Sequence, residues 1–395
     1  MTKLDRLLQQ FCSDGVEYQR LGDIAKVLRG KRLTKNQLSE ENIYPVYHGG
    51  LEPLGFYSEK NRDANTVMVI NVGASAGTVG FCDKDFWSSD GCFCISHNSV
   101  TIPKYLYFAL LSQERSIVSK VRYAGIPTLD AKVVEGLSIP IPPLPIQEEI
   151  VRILDELTEK TNNLICELNA EYDERKKQYA QYKKCIFDSI LNHSTKHITD
   201  IAQIKARVGW QRLTRGEYLS SGEYCLITGT DFMPDGRINF DSCVYVTKER
   251  FDMDENIQIH KNDILITKDG TLGKVAIVLE EPQKPTTLNS GVFRIKITDS
   301  QISAKYMYHF FTSKYFTDFV ESVKTGSTVP HLTQQGLVTL DIPIPSLEEQ
   351  NQIVSKLDTL NQVYTKIIEE LSFEIETRKK QYEYYRDKLL SFDCV

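Results

Sequence analysis

The side chains best suited to chemistry in this chain are cations, and they come in two groups. Lys26, Arg29, Lys31, Arg32 and Lys35 stand together with no acid between Asp23 and Glu40, and Lys205, Arg207, Arg212 and Arg215 form a second acid-free group. Both groups end alike, as Arg32-Leu33-Thr34-Lys35 and Arg212-Leu213-Thr214-Arg215, and each holds a glycine, Gly30 or Gly209, that permits close backbone approach. Cations without neighbouring acids suit an anionic ligand, above all a phosphate, whose condensed counterions they displace. Two more polar features occur twice. Thr66–Ile70 reads as a strand running into a Gly-rich turn with Ser75 and Thr78, and Asp263–Thr267 runs into a turn with Lys268, Thr271 and Lys274. Such a hairpin turn presents backbone N–H groups, hydroxyls and cations. The second copy lacks both the four-residue interval and the terminal Ser/Thr of a P-loop, which argues against nucleotide binding. Later loops carry Arg122, Tyr123 and Thr128 in one half and Lys324, Ser327, Thr328 and His331 in the other. A cation, glycine, hydroxyls and proline together suit phosphate or base-edge contact.

No reaction is legible beside these groups. No acid/base or nucleophile constellation recurs, and no N-P-P-[FY] methyltransferase motif is present, Pro142-Pro143 belonging to an extended lead-in. Asp130-Ala131-Lys132 has the D-x-K form of a nuclease site but no partner acid beside it. The seven histidines form no ligand-spaced set, and of the nine scattered cysteines the one close pair, Cys92/Cys94, is too tight for the usual zinc spacing. Reduced thiols and a cytoplasmic location are expected. No apolar run approaches the ~20 residues of a membrane span, and Met1-Thr2-Lys3-Leu4-Asp5 opens no signal region.

The elements that position the cations are themselves duplicated. Ile139–Asp155 reads IPIPPLPIQEEIVRILD and Ile342–Asp358 reads IPIPSLEEQNQIVSKLD, and Arg175–Tyr179 recurs as Arg378–Tyr382 at the same offset of 203 residues. A period that long marks two copies of one large unit. Alternating prolines predict a short extended lead-in, then a helix of roughly 40 residues, about 60 Å at 1.5 Å per residue. Its apolar seam runs Ile150, Leu154, Leu157, Thr161, Leu164, Leu168, Tyr172, Arg175, Tyr179, Tyr182, Ile186, and the second copy runs Ile353, Leu357, Leu360, Tyr364, Ile367, Leu371, Ile375, Arg378, Tyr382, Tyr385, Leu389. The steps alternate four and three except for one repeated four, Leu164 to Leu168 to Tyr172, which is a heptad seam with a shared stutter. Matching seams make the two helices natural partners.

At 395 residues, with about a quarter in these helices, two globular domains of ordinary size remain. The net charge of −6 is unevenly spread: residues 1–146 hold 16 basic and 15 acidic groups, 196–347 hold 17 and 18, and each helical segment holds 7 and 10. The acidity lies on the helices, so basic clusters on near-neutral domains retain their force. The chain begins with a short amphipathic helix (Leu4–Phe11), and the halves share strands such as Gly91–Ile95 and Gly291–Ile295. Helices beginning Tyr105-Leu106-Tyr107-Phe108 and Tyr306-Met307-Tyr308-His309 follow, with aromatics expected in the core.

This arrangement resembles the specificity subunit of type I restriction–modification systems over the whole chain. The features that carry it are the I-P-x-P lead-in with Gln147 or Gln350, the amphipathic helix behind it, and the G-S-T-x-P-x-L stretch Gly326–Leu332, from which the first half departs at Gly125–Leu129. The resemblance implies an α+β fold of two tandem target-recognition domains (1–145 and 194–347) and two long antiparallel coiled-coil helices (146–193 and 348–395), related by an internal pseudo-twofold repeat. It implies a non-catalytic DNA-recognition subunit of a methyltransferase/endonuclease complex, the type I site-specific deoxyribonuclease. Each domain then reads one half of a bipartite, asymmetric duplex target, and the helices dock two methyltransferase subunits, joined by restriction/translocase subunits. No cofactor is expected in this chain; S-adenosylmethionine, ATP and Mg belong to the partner subunits. The expected DNA contacts are Arg29, Lys31, Arg32, Lys35, Ser75, Thr78, Arg122, Tyr123, Thr128, Arg207, Arg212, Arg215, Lys268, Thr271, Lys274, Lys324, Ser327, Thr328 and His331. The alternative from another class is a coiled-coil adaptor whose end domains bind protein.

Overall fold

The computed structural model describes residues 2–208, 213–326 and 330–393. They form two compact units, residues 1–170 with 372–395, and residues 171–371. Boundaries drawn along the chain at 145/146, 193/194 and 347/348 isolate the long helices. Compactness instead divides each helix, close to the shared stutter, and gives each unit one end of both.

In the first unit, Thr66–Ile70 is buried at all five positions, as a strand covered on both faces must be. It lies inside a four-stranded antiparallel sheet ordered Val27–Arg29, Cys92–Ile95, Thr66–Ile70, Val79–Cys82. Alternate residues serve opposite faces: Val67, Val69, Phe93 and Ile95 join Tyr105, Leu106 and Ala109 of the helix Pro103–Ser112, while Met68, Ile70, Cys92 and Cys94 join Phe86. A second sheet, ordered Gly55–Tyr57, Tyr44–Tyr47, Trp87–Ser88, contains one parallel pair. A two-stranded ladder sets Tyr18–Arg20 against Ser138–Pro140. The second unit repeats this design strand for strand: Ala202–Lys205, Val292–Ile297, Ile264–Thr267, Val275–Ile277 in one sheet, Val244–Val246, Tyr224–Ile227, Thr286–Leu288 in another, and Thr195–His197 against Asp341–Pro343. Asn65 (φ 59°) and Asn262 (φ 69°) enter the two central strands in the left-handed region, which asparagine tolerates through its short polar side chain.

Of the aromatics expected in the core, Tyr105, Phe108 and Tyr306 are buried there and Tyr107 and Tyr308 are half-buried against it; two have a polar task. Tyr105 and Tyr306, both fully buried, donate their hydroxyls to Pro140 O at 3.0 Å and Pro343 O at 2.6 Å, the carbonyls of the proline lead-ins. Gln147 and Gln350 are likewise 0% exposed and satisfied on three sides. Gln147 Oε1 accepts from Ile102 N (2.8 Å), and its Nε2 donates to Val100 O and Pro142 O (both 2.8 Å). Gln350 repeats the pattern with Ser303 N, Gln301 O and Pro345 O. Each glutamine fastens the first turn of a long helix to the loop that starts its domain's aromatic helix.

The long helices run Leu144–Asp188 and Leu347–Leu389. They pair antiparallel in each unit through the same contact with roles exchanged: Thr158 meets the Tyr382 hydroxyl at 3.0 Å in the first unit, and Tyr179 meets Asn361 at 3.3 Å in the second. Tyr179 also stacks on Tyr364, ring centroids 4.2 Å apart. The seam departs from expectation near its end. Tyr182 and Tyr385 are 61% and 44% exposed, and the buried positions are Lys183 and Arg386. Stepping four rather than three from Tyr179 and Tyr382 turns each helix toward the domain it is joining, and a long aliphatic stem fills the position an apolar side chain was expected to hold. Beyond it, Phe187 and Ile190 enter the second unit's core and Leu390 enters the first unit's. No described helix is long and apolar enough to cross a membrane.

Candidate nucleic-acid interface

In the first unit three segments that are far apart in sequence converge. The Gly-rich turn after Thr66–Ile70 is tied to the loop 122–129 by Gly73 N to Pro127 O (2.9 Å) and Leu129 N to Asn71 O (2.9 Å), and the loop closes on itself through paired bonds between Arg122 and Thr128. Together with the basic segment they wall a cleft of about 920 Å³ that includes Arg29, Arg32, Lys35, His48, Ile126 and Thr128. Four expected contacts therefore share one concavity. Lys31, Arg122 and Tyr123 are exposed but do not line it, and Arg122 lies 3.3 Å from Asp130. Ser75 and Thr78 are half-buried within the turn, their carbonyls accepting from Thr78 N and Ile70 N, and they also lie outside the cleft wall.

Two readings of the basic segment change. Gly30 does allow a close approach, but to its own domain: a Cβ there would stand 2.1 Å from Ser89 O and 2.3 Å from Ser88 O. The shared Arg-Leu-Thr-[Lys/Arg] ending is also partly structural. Thr34 and Thr214 stand at the start of short 3-10 turns, Lys35–Gln37 and Arg215–Glu217, and each donates its backbone N–H and hydroxyl to the side-chain oxygen of Gln37 (both 3.0 Å) or Glu217 (2.8 and 2.9 Å), and Leu213 is buried. Arg32 and the cation that follows each threonine, Lys35 or Arg215, remain exposed for a ligand.

In the second unit the same frame carries different side chains. Leu332 N donates to Lys268 O (3.0 Å), as Leu129 N does to Asn71 O, and Thr325 and His331 exchange the backbone bonds made by Arg122 and Thr128. His331 Nδ1 lies 2.6 Å from Asp269 Oδ1. Thr271, Lys274, Lys324 and Arg215 are exposed, Lys324 pairing with Glu321 at 2.5 Å, and Lys268 Nζ sits 5.2 Å above the Phe293 ring. Arg207 is the correction. It is 2% exposed, donates from Nε to Leu288 O (2.9 Å) and from Nη2 to Thr287 Oγ1 (3.2 Å), and has its pKa lowered by burial, so it braces the interior and is not presented to a ligand. Arg212, Ser327 and Thr328 lie outside the described residues.

The sequence did not single out His48 or Ile126. His48 Nδ1 stands 3.3 Å from Asp90 Oδ1, over Gly91, where a Cβ would come within 2.7 Å of that nitrogen. A lone histidine after a strand, and a lone isoleucine in a polar loop, carry no pattern; only the fold brings them to the cations. Chemically the cleft offers cations at its rim and donors, acceptors and an apolar tip on its walls. That mixture suits a polyanion with readable edges. Among the described residues no three metal-ligating side chains gather.

Comparison with known proteins agrees. The model of the "Type I restriction modification DNA specificity domain" family matches residues 13–172 and again 192–377. The EcoR124I/EcoR124II type I restriction enzyme specificity subunit of Escherichia coli is 34% identical, with 99% of this chain and 97% of the relative covered. A putative type I restriction enzyme specificity subunit of Haemophilus influenzae is 26% identical over 99% of this chain and 98% of its own length. Among solved structures, a chain from work on assembly and conformational transition of the type I R-M system matches with TM-score 0.73 at 16% identity, covering 95% of this chain and 98% of that one. With two matched domains, and a relative one-third identical from end to end, the chain belongs to the family of type I restriction–modification DNA specificity subunits.

Proposed function

We propose that each unit reads one half of a split, asymmetric DNA target, the first through the cleft around Arg29, Arg32 and Lys35 and the second through the turn and loop around Lys268, Thr271 and His331. The observation that carries this is one frame with two sets of side chains. The strand order and the turn-to-loop hydrogen bonds recur, yet Asn71 corresponds to Lys268, Thr128 to His331, and Tyr123 to Gly326. A duplicated reader with unlike reading residues recognises two unlike half-sites. Exposed cations set register on phosphates, and loop side chains discriminate base edges, each good bidentate pair contributing about 1–3 kcal/mol. The antiparallel helices hold the spacing and dock two methyltransferase subunits, with restriction/translocase subunits joining them in the cytoplasm. S-adenosylmethionine, ATP and Mg serve those partners. Exchanging residues 1–145 for the corresponding domain of a relative tests the division of labour. Methylome sequencing should show one half-site changed and the other kept; a change in both, or in neither, refutes it.

A further inference from the structure

The loop 122–128 carries two large side chains that its own folding does not need. Its base is pinned: Arg122 N donates to Thr128 O at 2.9 Å, Thr128 N to Arg122 O at 3.0 Å, and Gly73 N to Pro127 O at 2.9 Å. Gly125 turns the tip with φ +89°, a conformation that L side chains rarely adopt. On this fixed frame Tyr123 is 67% exposed and Ile126 is 70% exposed. Ile126 also shares the cleft wall with Arg29, Arg32 and Lys35. An apolar tip ringed by cations fits a ligand that is anionic outside and flat and apolar inside, which describes a nucleic-acid base step. Apolar wedges inserted between base steps, and aromatic rings stacked on the bases so uncovered, are physically well matched to such a tip. In the second unit Thr325 and His331 make the equivalent backbone pair, and the residue at the place of Tyr123 is Gly326, with φ +87°.

We propose that Tyr123 and Ile126 form a wedge that opens one base step of the first half-site, Ile126 prising the step and Tyr123 stacking on the uncovered base, with no such ring supplied to the second half-site from position 326. The inference rests on the reading of the first unit as a DNA-recognition domain. It is tested on the full chain assembled with its methyltransferase subunits, using target duplexes that carry 2-aminopurine at successive positions of each half-site. Besides the base that each methyltransferase extrudes in its own half-site, fluorescence should rise at one further step, in the first half-site only. Tyr123→Ala should abolish the rise and weaken binding about 5- to 150-fold, the range that stacking on one base supplies, while Tyr123→Phe should keep both. Ile126→Ala should reduce the rise. A complex that binds its target specifically but shows no rise in the first half-site beyond that of the extruded base overturns the wedge and leaves the domain assignment standing. A complex without sequence-specific binding refutes that assignment itself. If Tyr123→Ala instead impairs assembly with the methyltransferase and leaves DNA affinity unchanged, the tip is a protein contact and the proposal fails.

Discussion

Replacing Gln147 by leucine isolates the device that fastens a long helix to its domain. Leucine has nearly the same volume, so packing around the site changes little and the loss is polar. Three groups lose their partner: Ile102 N–H, Val100 C=O and Pro142 C=O, each at 2.8 Å from the amide. Gln147 is 0% exposed, so water does not replace it without opening the site. An orphaned buried donor or acceptor costs about 1–3 kcal/mol, and three of them, with partial relaxation, sum to about 3–6 kcal/mol. Ile102 is also the N-cap of Pro103–Ser112 and makes no side-chain cap bond, so the first turn of that helix should loosen with it. Urea unfolding followed through Trp87, buried in the same unit, measures the loss. Gln147→Glu adds a pH signature. The introduced carboxylate is buried against two carbonyls, so its folded pKa lies above that of the unfolded chain. Its protonated form is therefore the tolerated one, and stability falls as pH rises from about 4.3 through the folded value. A loss under about 1 kcal/mol for Gln147→Leu, or a Gln147→Glu variant indifferent to pH, would refute the account. Gln350→Leu should do to the second unit what Gln147→Leu does to the first.

Two further outcomes follow from buried charges. Lys183 bonds Thr312 Oγ1 at 2.7 Å, and burial lowers its pKa to about 8. A depressed folded pKa means that its ionisation opposes folding below about 8 and is progressively relieved up to about 10.4. Lys183→Met should therefore be more stable than the parent at pH 7, by up to about 3 kcal/mol less the lost hydrogen bond, and the difference should vanish near pH 10 in thermal unfolding. Glu149, 2% exposed, is held at about 2 by hydrogen bonds from Arg152 and Lys3. Its contribution is complete above about pH 4.5 and lost as pH falls toward 2, so acid titration of Glu149→Gln should lack the part of the parent's acid transition that lies in that window.

Much of the fold was legible because duplication compares the chain with itself. A constant offset of 203 residues is immune to uncertainty about any one element, and the matched seams announced the helix partner. Strand order was not legible: the parallel pair of Tyr44–Tyr47 with Trp87–Ser88 joins segments separated by the whole Gly-rich hairpin, and nothing local encodes it. The seam was misread at Lys183 and Arg386 because polarity at the tip of a side chain conceals the apolar stem beneath. Arg207 failed as a surface contact for the converse reason. A charge count registers a guanidinium but not the two acceptors, Leu288 O and Thr287 Oγ1, that draw it inside. The candidate site was half legible: the cations and the turn were, but their meeting with His48 and Ile126 depends on backbone bonds between segments distant in sequence, such as Leu129 N to Asn71 O.

The duplication also explains why the long helices are better regarded as interior parts of the domains than as linkers. The ladder of Tyr18–Arg20 with Ser138–Pro140 matches that of Thr195–His197 with Asp341–Pro343, so Val16 occupies the place of His193. His193 N donates to Ile190 O at 3.0 Å, closing a turn in continuous chain; Val16 N donates to Asp393 O at 2.9 Å, making the same bond between segments at opposite ends of the sequence. Around the second of these, Leu390 fills the position of Phe187, and the Tyr18 hydroxyl donates to Phe392 O at 3.1 Å. What each domain requires at this point is a helix end with its apolar residues and a carbonyl in register. Peptide continuity supplies it in one unit. In the other, burial of Leu389, Leu390 and Phe392, about 1.5–3 kcal/mol for each side chain fully removed from water, supplies it without a covalent link. Each recognition domain is therefore completed by the helix that leaves the other, and the helix pair cannot come apart without stripping both domains of part of their cores.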